Sequence, residues 1–171
     1  LDYDLETQPI PLRKLRKNHL EMGHDAVVHL ASPSEEQLHL QRAHYYANVS
    51  MIDTQVGKII ESLKSRGVYE NTVIIFTTDH GDCLNDHGHS QKWNMYEQSV
   101  HVPGIIFWPD HIDAGTRIND FVSSMDLGPT ILEIAGVEVP EWMEAQSLTD
   151  ALSGKGPDTR KCLFAEHSND K

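Results

Sequence analysis

Only two cysteines, Cys83 and Cys162, occur in the 171 residues, and neither belongs to a C-x-x-C pair. That excludes a disulfide framework and a thiolate zinc cluster. Long apolar runs are missing too. None approaches the roughly 20 residues a membrane helix needs, so no membrane span is expected, and no signal-peptide pattern opens the chain. Positive charge is scarce: 14 lysines and arginines stand against 26 acids, giving a net charge of −12. Such a surface repels a phosphate backbone, so nucleic acid is not an expected partner. No internal repeat or low-complexity segment appears.

What remains is the make-up of a globular protein, 39% hydrophobic and 23% charged, long enough to enclose a core without covalent staples. The one basic cluster, "RKLRKNH" from Arg13 to His19, reads as a solvated face, with anion contact as the alternative. Residues 1–31, with Pro9, Pro11 and no clear periodicity, read as an irregular lead-in. Residues 32–171 read as one partial domain, cut at both ends.

A long helix is signalled from Ser32. That serine can cap, Pro33 suits the first helical position, and Glu35 completes a capping box. Leu38, Tyr45, Val49, Ile52, Val56, Ile60 and Leu63 then fall on one stripe, and Gly67 supplies a left-handed stop. Gly57, inside the pattern, suggests a close approach by another element. A sequon at Asn48-Val49-Ser50 falls within this helix and carries no weight. After a turn at Tyr69 to Asn71, the β-branched run Thr72 to Thr78 predicts a strand buried on both faces. Gly104 to Trp108 predicts another. A brief strand is expected at Phe121 to Ser123, a helix from Asp126 to Ala135 stopped by Gly136, and the start of a strand at Cys162 to Glu166. Buried strands alternating with helices mean an α/β fold.

The strand at Thr72 to Thr78 runs straight into Asp79-His80-Gly81. Ligands in open α/β sheets gather beyond the carboxyl ends of strands, and a carboxylate beside an imidazole suits a divalent cation. The competing reading is turn chemistry, with Asp79 bonding nearby amides.

The wider stretch "TTDHGDCLNDHGHSQKWNMYEQSVHVPGIIFWP" resembles the formylglycine-dependent sulfatases of the alkaline phosphatase superfamily. The matching parts are Asp79-His80-Gly81, His87-Gly88, Lys92, Tyr96-Glu97 and Val102-Pro103. The helix before the strand and "SSMDLGPTILEIAGV" after it extend the likeness from about Tyr45 to Val137. Asn85 stands where glycine is common, and asparagine is the ordinary residue that best tolerates a left-handed backbone.

The resemblance implies part of a three-layer sandwich with a mainly parallel central sheet. It implies Asp79 and His80 as metal ligands, calcium first, with manganese or magnesium as alternatives. Lys92 would contact the sulfate oxygens as a catalytic and substrate-binding group, and His89 would wall the substrate pocket. His87 and His89 form an H-x-H pair with no third ligand to make a closed metal site; hydrogen bonding within the loop is their other expected work. Asp126 resembles a structural acid at a helix start.

The family's nucleophile comes from a cysteine or serine followed by x-Pro-x-Arg, and no such sequence occurs here. The paired acids that complete the metal site have no counterpart either. The expected function is therefore part of a sulfuric ester hydrolase acting on a sulfated small molecule or carbohydrate, inactive as this chain alone. A phosphonate monoester or phosphodiester hydrolase and a non-catalytic α/β module are the alternatives. Uncovered apolar surface and strand edges would favour a homo-oligomer.

Overall fold

The computed structural model describes residues 5–22, 32–155 and 160–166. Its elements, in chain order, are α1 (Ile10–Met22), α2 (Glu35–Ser65), β1 (Ile74–Thr77), α3 (Glu97–Val100), β2 (Gly104–Phe107), α4 (Leu127–Ile134) and α5 (Thr149–Leu152). They form two compact units. One holds the described residues up to Tyr69 together with Thr77–Gly104; the other holds Glu70–Phe76 and the described residues from Ile105 onward.

In the first unit, α1 stands where an irregular lead-in was expected. Pro11 does not prevent it, because the first turn of a helix has no use for its missing N–H. Pro9 carries the first helical acceptor, taking the N–H groups of Leu12 and Arg13 at 3.0 and 3.2 Å. Helix α2 begins two residues later than expected. Ser34, not Ser32, is its cap: the Ser34 hydroxyl accepts from Gln37 N–H, and the Gln37 side chain accepts from Ser34 N–H at 2.8 Å. Both serines open an S-x-x-E/Q sequence, and the reciprocal bonds select the second. The expected stop holds. Gly67 has φ +68°, its N–H bonds to Lys64 O, and Val68 N–H bonds to Leu63 O, the two-bond pattern of a left-handed helix end.

The α2 stripe is real but uncovered. Leu38, Val56, Ile60 and Leu63 are half-buried, while Tyr45, Val49 and Ile52 are exposed, and the helix has no buried residue. Gly57 meets nothing within 4 Å of a would-be Cβ, so among the described residues the expected close approach is absent.

Strand β1 pairs with β2, and these two strands are the whole sheet among the described residues. Their side chains are half-buried or exposed, so the expected burial on both faces is not met; two strands alone have no layers to cover them. The strand expected at Phe121 to Ser123 is absent because Ser123 caps a turn instead, accepting from Met125 N–H at 3.2 Å. Residues 162–166 are also without regular structure. Helix α4 follows its forecast, with Gly136 at φ +69° and Val137 N–H closing on Leu132 O at 2.9 Å.

The second unit is locked by Asp126, which is 1% exposed. Its carboxylate accepts from Ser123 N–H, Gln146 N–H and both terminal nitrogens of Arg160, at 2.7 and 3.0 Å. Desolvation pushes that carboxyl up, but the Arg160 hydrogen bonds and the two amides outweigh it and hold it below its ordinary value. Thr130 extends the lock, donating to Asp126 O at 2.6 Å and accepting from Leu148 N–H at 2.9 Å.

Candidate active site

The chain leaves β1 at Thr77, and two residues later it presents Asp79. One oxygen of Asp79 does turn chemistry. Its Oδ1 accepts from the Thr78 hydroxyl at 3.2 Å and from His80 N–H at 3.0 Å. The other oxygen, Oδ2, faces the His80 ring, 3.2 Å from Nε2. Turn and ligand readings therefore describe different atoms of one side chain. Desolvation raises the Asp79 carboxyl, yet hydrogen bonds from the backbone and Thr78 help leave it below its ordinary value.

His80 Nδ1 lies 2.9 Å from the Gly81 carbonyl oxygen. A carbonyl oxygen only accepts, so Nδ1 carries the proton and Nε2 presents a lone pair. Lys92 Nζ is hydrogen-bonded to that lone pair. Asp79, His80 and Lys92 thus converge, twelve positions separating His80 from Lys92.

The donor set suits a divalent cation: a carboxylate oxygen and an imidazole nitrogen whose other nitrogen is anchored to a backbone carbonyl. The ammonium of Lys92 supplies the positive charge there. Calcium takes roughly six to eight oxygen-type ligands. Among the described residues no group of three or more His, Cys, Asp or Glu side chains could hold a metal. The pair fits as part of a cation site and falls short of a whole one.

Gly81 makes the turn possible. Its N–H donates to Ser99 O at 2.9 Å, and a Cβ at this position would lie 1.9 Å from Gln98 O. Only glycine allows that approach. The loop beyond encloses a small polar core. Cys83 is 0% exposed; its sulfur meets Ser99 Oγ at 3.3 Å and accepts from Asn94 Nδ2 at 3.3 Å. Asn94 Oδ1 in turn accepts from Ser99 Oγ and Tyr96 N–H, each at 3.0 Å. Burial pushes the Cys83 thiol up, so it sits there as a neutral packing group.

Between Cys83 and Lys92 the backbone is strained. Leu84, Asn85, His87 and Gln91 all have positive φ, from 47° to 67°, conformations that persist only where surroundings enforce them. Asn85 takes the left-handed position expected of it. The enforcement is long-range. Asn85 Nδ2 donates to Gln41 Oε1 at 2.6 Å, and Arg42 donates to Asp86 at 2.7 Å, both across 44 positions. Gln8 and Arg16 reach the carbonyls of His87 and Gly88. These supporting residues were not found by sequence reasoning, and no local pattern marks them.

His89 is 2% exposed. Its Nε2 lies 2.9 Å from Gln8 Oε1, and its ring tilts against Tyr96 at 5.7 Å. His87 stacks on the same Tyr96 ring at 4.1 Å. Both histidines therefore face the loop's own interior. The second unit has a cavity of about 170 Å³ lined by residues including Trp108, His111, Glu133 and Asp150; it contains none of the expected site residues.

Comparison with known proteins gives this geometry a context. The Sulfatase family model matches residues 8–137. Arylsulfatase K of Xenopus laevis is 37% identical over 136 residues, 80% of this chain and 25% of that protein. The solved structure of a phosphonate monoester hydrolase from Silicibacter pomeroyi superposes with a TM-score of 0.80 at 30% identity, covering 94% of this chain and 32% of that one. A structure determined in complex with its substrate D-glucosamine-2-N,6-O-disulfate superposes with a TM-score of 0.72 at 25% identity, over 98% and 35% of the two chains. The fold is accordingly α/β, of the alkaline-phosphatase-like kind. The chain spans about a quarter of the length of the curated relatives it matches.

Proposed function

This chain belongs to the sulfatase family, and from that premise we propose that it supplies the part of a sulfuric ester hydrolase site that faces both cation and ester. The observation that carries the proposal is the convergence of Asp79 Oδ2, His80 Nε2 and Lys92 Nζ.

Asp79 and His80 would hold a divalent cation, calcium first with manganese or magnesium as alternatives, jointly with ligands from outside this chain. When bound, such a cation polarises the ester oxygens and lowers the cost of bringing an anionic nucleophile to an anionic substrate. Gly81 fixes the His80 tautomer through Nδ1, leaving Nε2 basic. Lys92 would face the sulfate oxygens, a compact charge that neutralises negative charge as it builds there. His89, held by Gln8 and Tyr96, would form the inner support of the pocket wall. The formylglycine nucleophile has no precursor sequence in this chain, so the chain alone is expected to show no turnover.

The substrate class is a sulfated carbohydrate or small molecule. Likeness to a protein solved with a disulfated glucosamine supports it. The phosphonate monoester hydrolase likeness, at a TM-score of 0.80, favours a second reading in which the ester is a phosphonate or phosphodiester.

The test is turnover of a longer polypeptide carrying this segment, on an aryl sulfate and on an aryl phosphonate monoester. Asp79→Ala and His80→Ala should abolish metal-dependent turnover. Lys92→Ala should reduce it by about a hundredfold, the loss for one preorganised contact, with metal still bound. Preference for the phosphonate ester would select the second reading, and full turnover in all three variants would refute the site.

A further inference from the structure

Gln8 stands ahead of α1 and belongs to none of the short motifs between Asp79 and Pro103, yet its side chain grips the loop at two points. Its Nε2 donates to the His87 carbonyl oxygen at 2.7 Å. Its Oε1 lies 2.9 Å from His89 Nε2. Because a carbonyl oxygen only accepts, the first contact fixes which end of the amide is nitrogen. The other end is then oxygen, and His89 must offer an N–H from Nε2. A neutral amide can serve both loop atoms at once. A carboxylate could not donate to His87, and an ammonium could not accept from His89.

What Gln8 grips is the strained part of the loop. His87 has φ +55° and Gly88 φ +71°. A Cβ on Gly88 would lie 2.6 Å from Leu5 Cδ2, and the Gly88 carbonyl accepts from Arg16 Nε at 2.9 Å. The segment from Leu5 to Arg16 therefore fits closely over residues 87–89. Three residues beyond His89 stands Lys92.

We propose that Gln8 is a positioning residue: it holds His87 and Gly88 in their left-handed backbone, fixes the His89 ring and, through that loop, sets where the Lys92 ammonium stands against His80. The consequence for turnover rests on the sulfatase reading; the clamp itself does not.

The clamp is tested on this chain by imidazole ¹H–¹⁵N correlation spectra and amide exchange. The unaltered chain should show a protected His89 Nε2–H. Gln8→Glu should keep that signal while amides of residues 84–91 exchange about tenfold faster, the effect of one lost hydrogen bond. Gln8→Leu should lose the signal as well. Signals of the Asp126 lock, in the other unit, should stay fixed and report intact folding. An unchanged His89 signal and unchanged loop exchange in Gln8→Leu would overturn the clamp. In the longer sulfatase polypeptide, Gln8→Leu should lower kcat by about ten- to a hundredfold, as displaced catalytic groups do, with KM changing less. A loosened loop with unchanged kcat would overturn the positioning role. No sulfatase turnover in the unaltered polypeptide would instead overturn the sulfatase reading and leave the spectra to decide the clamp.

Discussion

The loop from Asp82 to Ser99 and helix α2 belong to the same compact unit but are held by opposite means. Helix α2 runs 31 residues on local rules, with a reciprocal cap at one end, a glycine stop at the other and no buried residue. The loop has almost no regular structure, yet it buries Cys83, His89, Ser90, Asn94 and Ser99. Four of its non-glycine residues sit at positive φ. The difference shows where this unit keeps its specificity. Propensity and capping suffice to make the helix, while the loop exists only because hydrogen bonds from distant residues over-determine it. A Lys92 held at a fixed point needs the second kind of construction.

If buried polar networks carry the structure, breaking one should cost more than any change to α2. The largest effect is expected at the Asp126 lock. Arg160→Leu leaves a buried carboxylate without its ion partner and should lower unfolding stability by about 3 kcal/mol, measured by urea denaturation. The same group predicts a pH dependence. The folded Asp126 carboxyl lies below its ordinary value, so its contribution is fully present above the ordinary carboxylate range. It is lost as pH falls through that range and then through the folded value. The acid-induced loss of stability should be shallower in Arg160→Leu.

Next comes the loop. Asn94→Ala removes a partner from Cys83, Ser99 and Tyr96 N–H together and should cost about 2 kcal/mol, with exchange rising across residues 82–99. An equal loss from an exposed α2 substitution would erase the contrast between the two regions. Ser34→Ala takes away the α2 cap and should cost about 1 kcal/mol, seen as fraying of the first turn. Smallest, and of opposite sign, Gly57→Ala meets open space and should stabilise by up to about 1 kcal/mol. A loss there would mean that another surface closes on the helix.

The same contrast explains what could be read from the sequence. The stops at Gly67 and Gly136, the left-handed Asn85 and the run of α2 depend on neighbours a few positions away, and each stands in the structure as expected. The cap moved from Ser32 to Ser34 because two overlapping S-x-x-E/Q sequences compete, and only bond geometry separates them. Helix α1 was missed because Pro9 and Pro11 count as breakers wherever they occur, although the first turn tolerates them. The strand expected at Phe121 to Ser123 gave way to a serine-capped turn, and Cys162 to Glu166 carries no regular structure; an apolar run alone announces neither outcome. Asp79, His80 and Lys92 were legible because motif order marks them. Gln8, Gln41 and Arg42 were not, since their bonds to the loop span 44 to 81 positions and follow no periodicity.

The central claim, that Asp79 and His80 jointly face a cation beside Lys92, is tested most directly by titrating this chain with Mn²⁺ and following paramagnetic line broadening. The Asp79 and His80 signals, followed by Lys92 Nζ, should broaden at lower Mn²⁺ than those of the exposed His101–Glu97 pair. Broadening of all exposed acids and histidines together, with no preference for Asp79 and His80, would contradict it.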